Sequence, residues 1–425
     1  MATPSVTSNV MISTASTLPG DLVRLVASRL LAGDLLDYVR FRAVCAPWRS
    51  ATASPRGRGI VDPSFHPRRW MMLPEGDGLY PGHPKLHDYI RLLNLDTGSL
   101  VRVQVLMLKD HCILDSLDGL LVLQRDHDTA ILLLHPFTGD ILELPPLSTL
   151  VPVMDEGLST LSVKKQLSFL RSVFTAGTFV DGAVTVMLAF PRLFNVAFAT
   201  PHDQRWTVST WEYEFGRPAL SSRGKIYVAD TVGSDHTSKI YQIDTPLPNG
   251  VLQPPKLITT LTEDVLWSPV YLVECDDSEV LVVGHNDRYL SKIVVYKLAD
   301  LIMGRYVPVS SIGDKAIFIL APRTLCASSK ALHTITGDTV VYTHPMKQYL
   351  AQYHLTSGMW SPAMDECSLR GLAPGPSSLI HHIITCCSRE RWNKGLLLRW
   401  RKDDARQPSG GYLRWAVKGD HRRGA

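Results

Sequence analysis

At 425 residues with 45% hydrophobic side chains, the chain is long enough for two to three domains, or for one large repeat domain beside a small one. Its formal net charge of +4 is nearly balanced overall, but residues 388–425 carry eleven Lys/Arg against four Asp/Glu, a local +7 that leaves −3 for the rest. No stretch approaches the roughly 20 apolar residues of a membrane-spanning helix, and seven cysteines with no CxxC spacing leave no zinc ribbon or thioredoxin-like site and suit a reduced set in a reducing compartment.

Residues 1–16 are Ser/Thr-rich, lack a basic start and a long apolar run, and contain no arginine. They read as a disordered N-terminus rather than a secretory or organelle leader, so the expected location is cytosol or nucleus. From 17 to 54 the texture is helical. Pro19 sits where a first turn tolerates proline, and Leu22, Leu25, Val26 and Leu30 fall on one helical face. Gly33 closes this helix and Asp34 is suited to cap a second, with Leu35, Leu36 and Val39 expected inward. Pro47 opens a third helix, one position before Trp48. Three short helices make a marginal core, yet Leu18, Leu22, Val26, Leu30, Leu35, Val39, Val44 and Trp48 exceed what they can cover. Part of that surface is expected to be completed by another protein or by the following domain.

The segment Leu18-Pro19, Asp21-Leu22, Asp34-Leu35, and Phe41-Arg42-x-Val44-Cys45-x-x-Trp48-Arg49 resembles an F-box. The resemblance covers under a tenth of the chain but is dense and correctly spaced. It implies docking onto a Skp-type adaptor and, through it, onto a cullin-based ubiquitin ligase. By the same resemblance Leu18, Pro19, Leu22, Val26, Leu30 and Leu35 lie at the adaptor interface, with Val44 and Trp48 anchoring the third helix. Cys45 then reads as a small apolar filler rather than a nucleophile, because no partner histidine lies nearby.

Residues 55–69 are rich in Gly, Pro and Arg and read as a linker. Beyond Trp70, short Val/Ile/Leu-rich runs such as "LLVLQ", "AILLLH", "AVTVMLAF", "KIYVAD" and "KIVVYKL" have strand length and are bounded by turn residues. One kind of turn precedes an apolar strand: Asp118-Gly119, Asp181-Gly182, Arg223-Gly224, Asp276-Asp277 and Gly337-Asp338. A second kind recurs from Gly98 to Gly358 at about 52 residues, near the period of a propeller blade. Each period has room for about four strands, and stacking blades around an axis buries sheet faces that one blade cannot cover alone. The expected architecture is therefore α+β multidomain: a small three-helix unit followed, over 70–387, by a mostly-β propeller-like domain of about six blades. The repeat is degenerate, and a pair of β-sandwiches is the competing reading.

"HPRRWMMLP", "SLDGLLVL…LLHPFTGDILELPPL", "SIGDKAIFIL" and "GDTVVYTH", together with the N-terminal segment, resemble the large plant family that carries a domain of unknown function numbered 295, also described as a KIB-type β-propeller. Residues 366–425, with vicinal Cys386-Cys387 and the basic stretch 388–425, depart from that pattern. The basic end reads as a solvated tail.

Phosphate-cradling, dinucleotide, HExxH and GxSxG motifs are absent. His381-His382 are adjacent and would point to opposite faces of a strand. Asp276 to Glu279 reads as a solvated turn, and Trp206, Trp211, Trp267 and Trp360 as blade core or rim. No catalytic residue, metal or cofactor is expected. The resemblance implies a non-catalytic receptor subunit of a Skp–cullin–F-box ligase, with an unread target on the propeller loops; the lack of an apolar span argues against a membrane partner, and a solvated basic end is favoured over one that touches nucleic acid. A scaffold or regulator acting without target degradation reads the same. A propeller glycosidase would need convergent acids in its channel.

Overall fold

The computed structural model describes residues 18–73, 89–153, 170, 173–191, 193–213, 219–232, 237–246, 250–276, 279–320, 323–332, 335–343, 350–363, 396–398 and 415–417. Three helices open it: α1 (Gly20–Gly33), α2 (Leu35–Ala43) and α3 (Ala46–Ala51). Asp34 divides the first two. Its backbone is extended, and its Oδ1 accepts the Leu36 N–H at 2.8 Å, satisfying one of the free donors at the start of α2. Pro47 lies in the first turn of α3, where a missing N–H costs nothing. The inward face of α1 is formed by Val23 and Ala27, not by the bulkier leucines. On α2 the buried residues are Leu35 and Tyr38, while Leu36 is half-buried and Val39 is exposed.

Strands then group into six sheets taken in chain order. The first holds β1 (Trp70–Leu73), β2 (Tyr89–Asn94) and β3 (Leu100–Gln104). The second holds β4 (His111–Leu117), β5 (Leu120–Arg125), β6 (Ala130–Leu134) and β7 (Ile141–Pro146). The third holds β8 (Phe174–Val180), β9 (Ala183–Phe190), β10 (Asn195–Ala199) and β11 (Thr207–Val208). The fourth holds β12 (Leu220–Ser222), β13 (Lys225–Val232), β14 (Thr237–Asp244) and β15 (Lys256–Leu261). The fifth holds β16 (Trp267–Asp276), β17 (Glu279–His285) and β18 (Ile293–Lys297), followed by helix α4 (Leu298–Ile302) where an outer strand was expected. The sixth holds β19 (Lys315–Leu320), β20 (Arg323–Ser328), β21 (Thr339–Thr343), β22 (Leu350–His354) and β23 (Met359–Pro362) in the order β20-β19-β21-β22-β23, with β19 and β21 parallel. A separate pair, β24 (Leu396–Leu398) and β25 (Trp415–Val417), lies in the C-terminal segment. Among the described residues no helix is long and apolar enough to cross a membrane.

Burial explains the arrangement. Along β5, Leu121 and Leu123 pack against Trp70, Met72, Ile90 and Leu92 of the first sheet. The alternate residues Leu120 and Val122 pack against Val184, Val186 and Leu188 of the third. Both faces of the strand are covered, so its sequence is a continuous apolar run rather than an alternating one. The same sharing joins sheets three to four, four to five and five to six. Polar contacts also join the sixth sheet to the first, where Met71, Leu93, Leu95, Ala316, Phe318 and Val341 are buried as well. Ser328 N–H donates to the Leu95 carbonyl at 2.7 Å, and Asp96 binds both Arg69, through two bonds of 2.8 and 2.9 Å, and Lys315 at 2.9 Å. Burial would raise the Asp96 pKa, but these two cations outweigh it and hold the carboxyl below its ordinary value. The domain is a six-bladed β-propeller.

The hairpin chemistry follows the turn residues. Asp118-Gly119, Asp181-Gly182 and Arg223-Gly224 each put two consecutive residues at positive φ, the two-residue turn that matches strand twist. The longer turns before β3, β7 and β23 share one bond, from Gly98, Gly139 and Gly358 N–H to the carbonyls of Asn94, His135 and His354 at 2.8–2.9 Å. Asp276-Asp277 falls partly outside the described residues.

Two expectations change. Residues 55–69 are folded rather than linker-like: Gly57 and Gly59 N–H groups donate to the Asp140 carboxylate at 2.8–3.0 Å, and Ile60, Phe65 and His66 are buried. The cysteines are not all free thiols: Cys275 and Cys326 form a disulfide between β16 and β20, with a Cα separation of 5.0 Å. Their sequence separation of 51 is one blade period, which places them at facing positions of neighbouring sheets.

His285, at the end of β17, is 2% exposed, and neither ring nitrogen finds a partner among the described residues. Burial pushes its pKa down to about 4, with Asp287 opposing only in part. The unfolded chain therefore takes up this proton first, and stability falls as pH drops from about 6.5 towards about 4, by on the order of 3 kcal/mol for this one group. Urea titrations at pH 7, 5.5 and 4.5 should show a smaller loss for His285→Leu than for the wild type; an equal loss would place the acid sensitivity elsewhere.

Candidate functional site

The three helices present an apolar stripe to solvent. Leu18, Leu22, Val26 and Val44 are 43–55% exposed, and Leu25 and Val39 extend the surface. Pro19 is exposed at its edge. Leu30 is half-buried against the small helical core. Leu35 departs from the expectation. It is 3% exposed and packs with Ala27, Tyr38 and Phe65, so it supports the stripe from within rather than forming part of it. Trp48 is half-buried and stacks on Phe41, ring centroids 4.3 Å apart, which sets the angle of α3 on α2. Cys45 is half-buried in the extended residue that precedes α3.

The opposite side of the helices is fastened to the propeller. Phe65 and Phe137, the latter from the turn after β6, complete the core around Ala27, Leu35 and Tyr38. Asp34 joins the two parts through polar contacts. Besides capping α2, its Oδ1 accepts Trp70 Nε1–H at 3.0 Å and its Oδ2 accepts Asn94 Nδ2–H at 3.0 Å. Both donors are buried on the first blade. The helical head therefore rides on blade one as part of the same packed body, with its stripe turned outward.

A second feature lies where the innermost strands converge. A cavity of about 190 Å³ is lined by Trp70 and Met71 of β1, Ser116 of β4, Leu220 and Ser221 of β12, Glu274 of β16 and Thr324 to Cys326 of β20. Arg68, Arg69, Asp118 and Arg223 ring it. Arg69 is held by Asp96. Arg68 reaches Asp118 only at 3.9 Å. Glu274 accepts the Ser222 hydroxyl at 2.7 Å. Arg223 makes no hydrogen bond or ion pair among the described residues, although it sits at φ 51°. Nothing local in the sequence announced this cavity, because its lining comes from five blades. The one available signal was Arg223-Gly224, where two sister hairpins carry Asp-Gly.

The other sequence candidates serve packing or fall outside the described residues. Trp206 is buried and donates to the Pro145 carbonyl at 2.8 Å. Trp360 packs on Tyr353 at 5.0 Å, and Trp211 donates to the Leu252 carbonyl. Glu279 pairs with Lys297 at 2.6 Å. His381-His382, Cys386-Cys387 and most of the basic end lie outside the described residues.

Three comparisons bear on these surfaces. The family model described as KIB1-4 beta-propeller matches residues 92–361. An F-box protein of Arabidopsis thaliana is 49% identical over 41 residues, 10% of this chain and 12% of that relative, so the chain matches only a short part of its length. Among solved structures, the dihydro-heme d1 dehydrogenase NirN aligns at a TM-score of 0.30 and 13% identity, over 75% of this chain and 57% of that one. The Cps50 (Swd1) β-propeller domain from Myceliophteria thermophila aligns at 0.27 and 11%, over 68% and 98%. Scores this low carry no argument about function.

Proposed function

The chain belongs to the KIB1-4 beta-propeller family, and we propose that it is the non-catalytic receptor subunit of a Skp–cullin–F-box ubiquitin ligase. In this reading the three helices are an F-box. Their stripe of Leu18, Leu22, Val26 and Val44 docks on a Skp-type adaptor, and the propeller holds a target protein. The observation that carries the reading is that stripe: large aliphatic side chains in an ordered helical unit, exposed on the face away from the body that fixes it. The resemblance of the segment to an F-box and the short match to an F-box protein support it. The mechanism is proximity. A receptor that holds its target at a fixed distance from the conjugating enzyme raises the effective concentration of target lysines there.

Co-expression of the full chain with a Skp-type adaptor and a cullin tests the docking. Leu22→Asp with Val26→Asp is expected to lower adaptor capture at least tenfold, because two carboxylates would be desolvated in the interface. Both positions are exposed, so the unfolding free energy from urea titration should stay within about 0.5 kcal/mol of the wild type. Unchanged capture in a folded double variant would remove the receptor reading.

A further inference from the structure

We propose that the axial cavity is a binding site for a single anionic group, a carboxylate or a phosphate, received by Arg223 and Arg68. The argument begins with the backbone. Three two-residue hairpins have the same left-handed turn, and two of them use aspartate at the first position: Asp118 at φ 50° and Asp181 at φ 50°. The third uses Arg223 at φ 51°. Aspartate and asparagine tolerate this conformation, whereas a long side chain gains nothing from it. Of the two such turns that border the cavity, Asp118-Gly119 and Arg223-Gly224, the second places a long cationic side chain at the left-handed position.

Charge accounting points the same way. Of the ionised groups around the cavity, Arg69 is taken by Asp96. Glu274 is occupied by the Ser222 hydroxyl. Asp118 lies near both Arg68, at 3.9 Å, and His66, at 3.7 Å. The unused hydrogen-bonding capacity belongs to the guanidinium groups of Arg223 and Arg68, which present planar donors suited to an oxyanion. Trp70, Met71, Leu95, Leu220 and Leu325 supply an apolar wall below them. At about 190 Å³ the space suits one side chain or a small anion rather than a drug-sized ligand. The inference rests on the receptor reading only in taking the bearer of the anion to be the target protein. An acidic side chain of the target would then enter the axis while the rest of the target covers the blade loops.

The test uses the full chain in calorimetric titrations. The probes are inorganic phosphate, an acetylated and amidated pentapeptide with one central glutamate, and its glutamine counterpart. The wild type is expected to bind phosphate or the glutamate peptide, and the glutamine peptide at least tenfold more weakly. Binding of the glutamate peptide assigns the site to a protein carboxylate; binding of phosphate alone assigns it to a phosphate. Arg223→Asn should weaken binding at least tenfold with an unchanged or raised urea midpoint, because asparagine suits the turn. That pairing separates a ligand contact from a structural role. Arg68→Gln, at a position with no positive φ, is the second variant and should also weaken binding. Absence of binding by the wild type, or full affinity in both variants, overturns the proposal. Adaptor capture by Arg223→Asn should be normal. The site can thus fail while the receptor reading stands, and the reverse.

Discussion

Asp34→Ala is expected to destabilise the chain by about 3 kcal/mol and to loosen the helical head from blade one. Three contacts are lost together: the cap on the Leu36 N–H, the Trp70 Nε1–H bond and the Asn94 Nδ2–H bond. The cap contributes about 1 kcal/mol, and each orphaned buried donor costs about 1–3 kcal/mol. Asp34→Asn is the informative partner. Its Oδ1 keeps the cap and the Trp70 bond, and asparagine caps as well as aspartate. Only the Asn94 contact turns repulsive, and Asn94 cannot flip to relieve it because its Oδ1 accepts the N–H groups of Asp96 and Thr97 at 2.9 Å. The Asn variant should therefore lose about 1–2 kcal/mol. Limited proteolysis between 43 and 69, compared with urea unfolding of the whole, reads the two effects. Equal resistance of Asp34→Ala and wild type would mean that Phe65 and Phe137 alone hold the head.

The second large effect is expected at Gly119. Its φ is +83°, and a Cβ there would lie 2.0 Å from the backbone carbonyl oxygen of Pro67. Gly119→Ala combines the cost of a left-handed alanine, about 1–2 kcal/mol, with displacement of the segment that carries Arg68 and Arg69. A total of about 3 kcal/mol or more is expected. Gly182→Ala is the control. It has nearly the same φ, +80°, but nothing lies within 4 Å of the added Cβ, so it should cost only the conformational part. Paired urea midpoints for the two variants decide the matter. Equal shifts would show that the close approach at Pro67 relaxes freely.

These residues also show what was legible in the sequence. Local chemistry was readable: Asp34 marks a helix boundary through its side-chain cap, and Asp118-Gly119, Asp181-Gly182 and Arg223-Gly224 mark two-residue hairpins set by positive φ. The propeller was readable from spacing, because a blade needs neighbours on both faces. What escaped depended on distant partners. The inward face of α1 is Val23 and Ala27 rather than the leucines, because Phe65 and Phe137 fill the space that larger residues would take. Residues 55–69 looked like a linker by composition, yet Gly57 and Gly59 donate to Asp140 more than 80 residues away. Leu35 matched the docking pattern but is drawn into the core by the same aromatic pair. Blade five replaces its outer strand by α4, and blade six inserts a parallel strand, neither of which a period count reveals. The axial cavity is the extreme case, since five blades contribute to it.

The proposed role makes the head and the propeller inseparable: one captures the ligase, the other the target, and the Asp34 contacts fix their relative geometry. The most direct measurement is recovery of ubiquitin conjugates on proteins bound to the full chain in cells with the proteasome inhibited, comparing wild type with Leu22→Asp/Val26→Asp. The account predicts that both forms retain the same bound proteins and that only the wild type carries them conjugated. Equal conjugation on the two forms, or no conjugates on either, would contradict it and leave a propeller that binds partners without directing their modification.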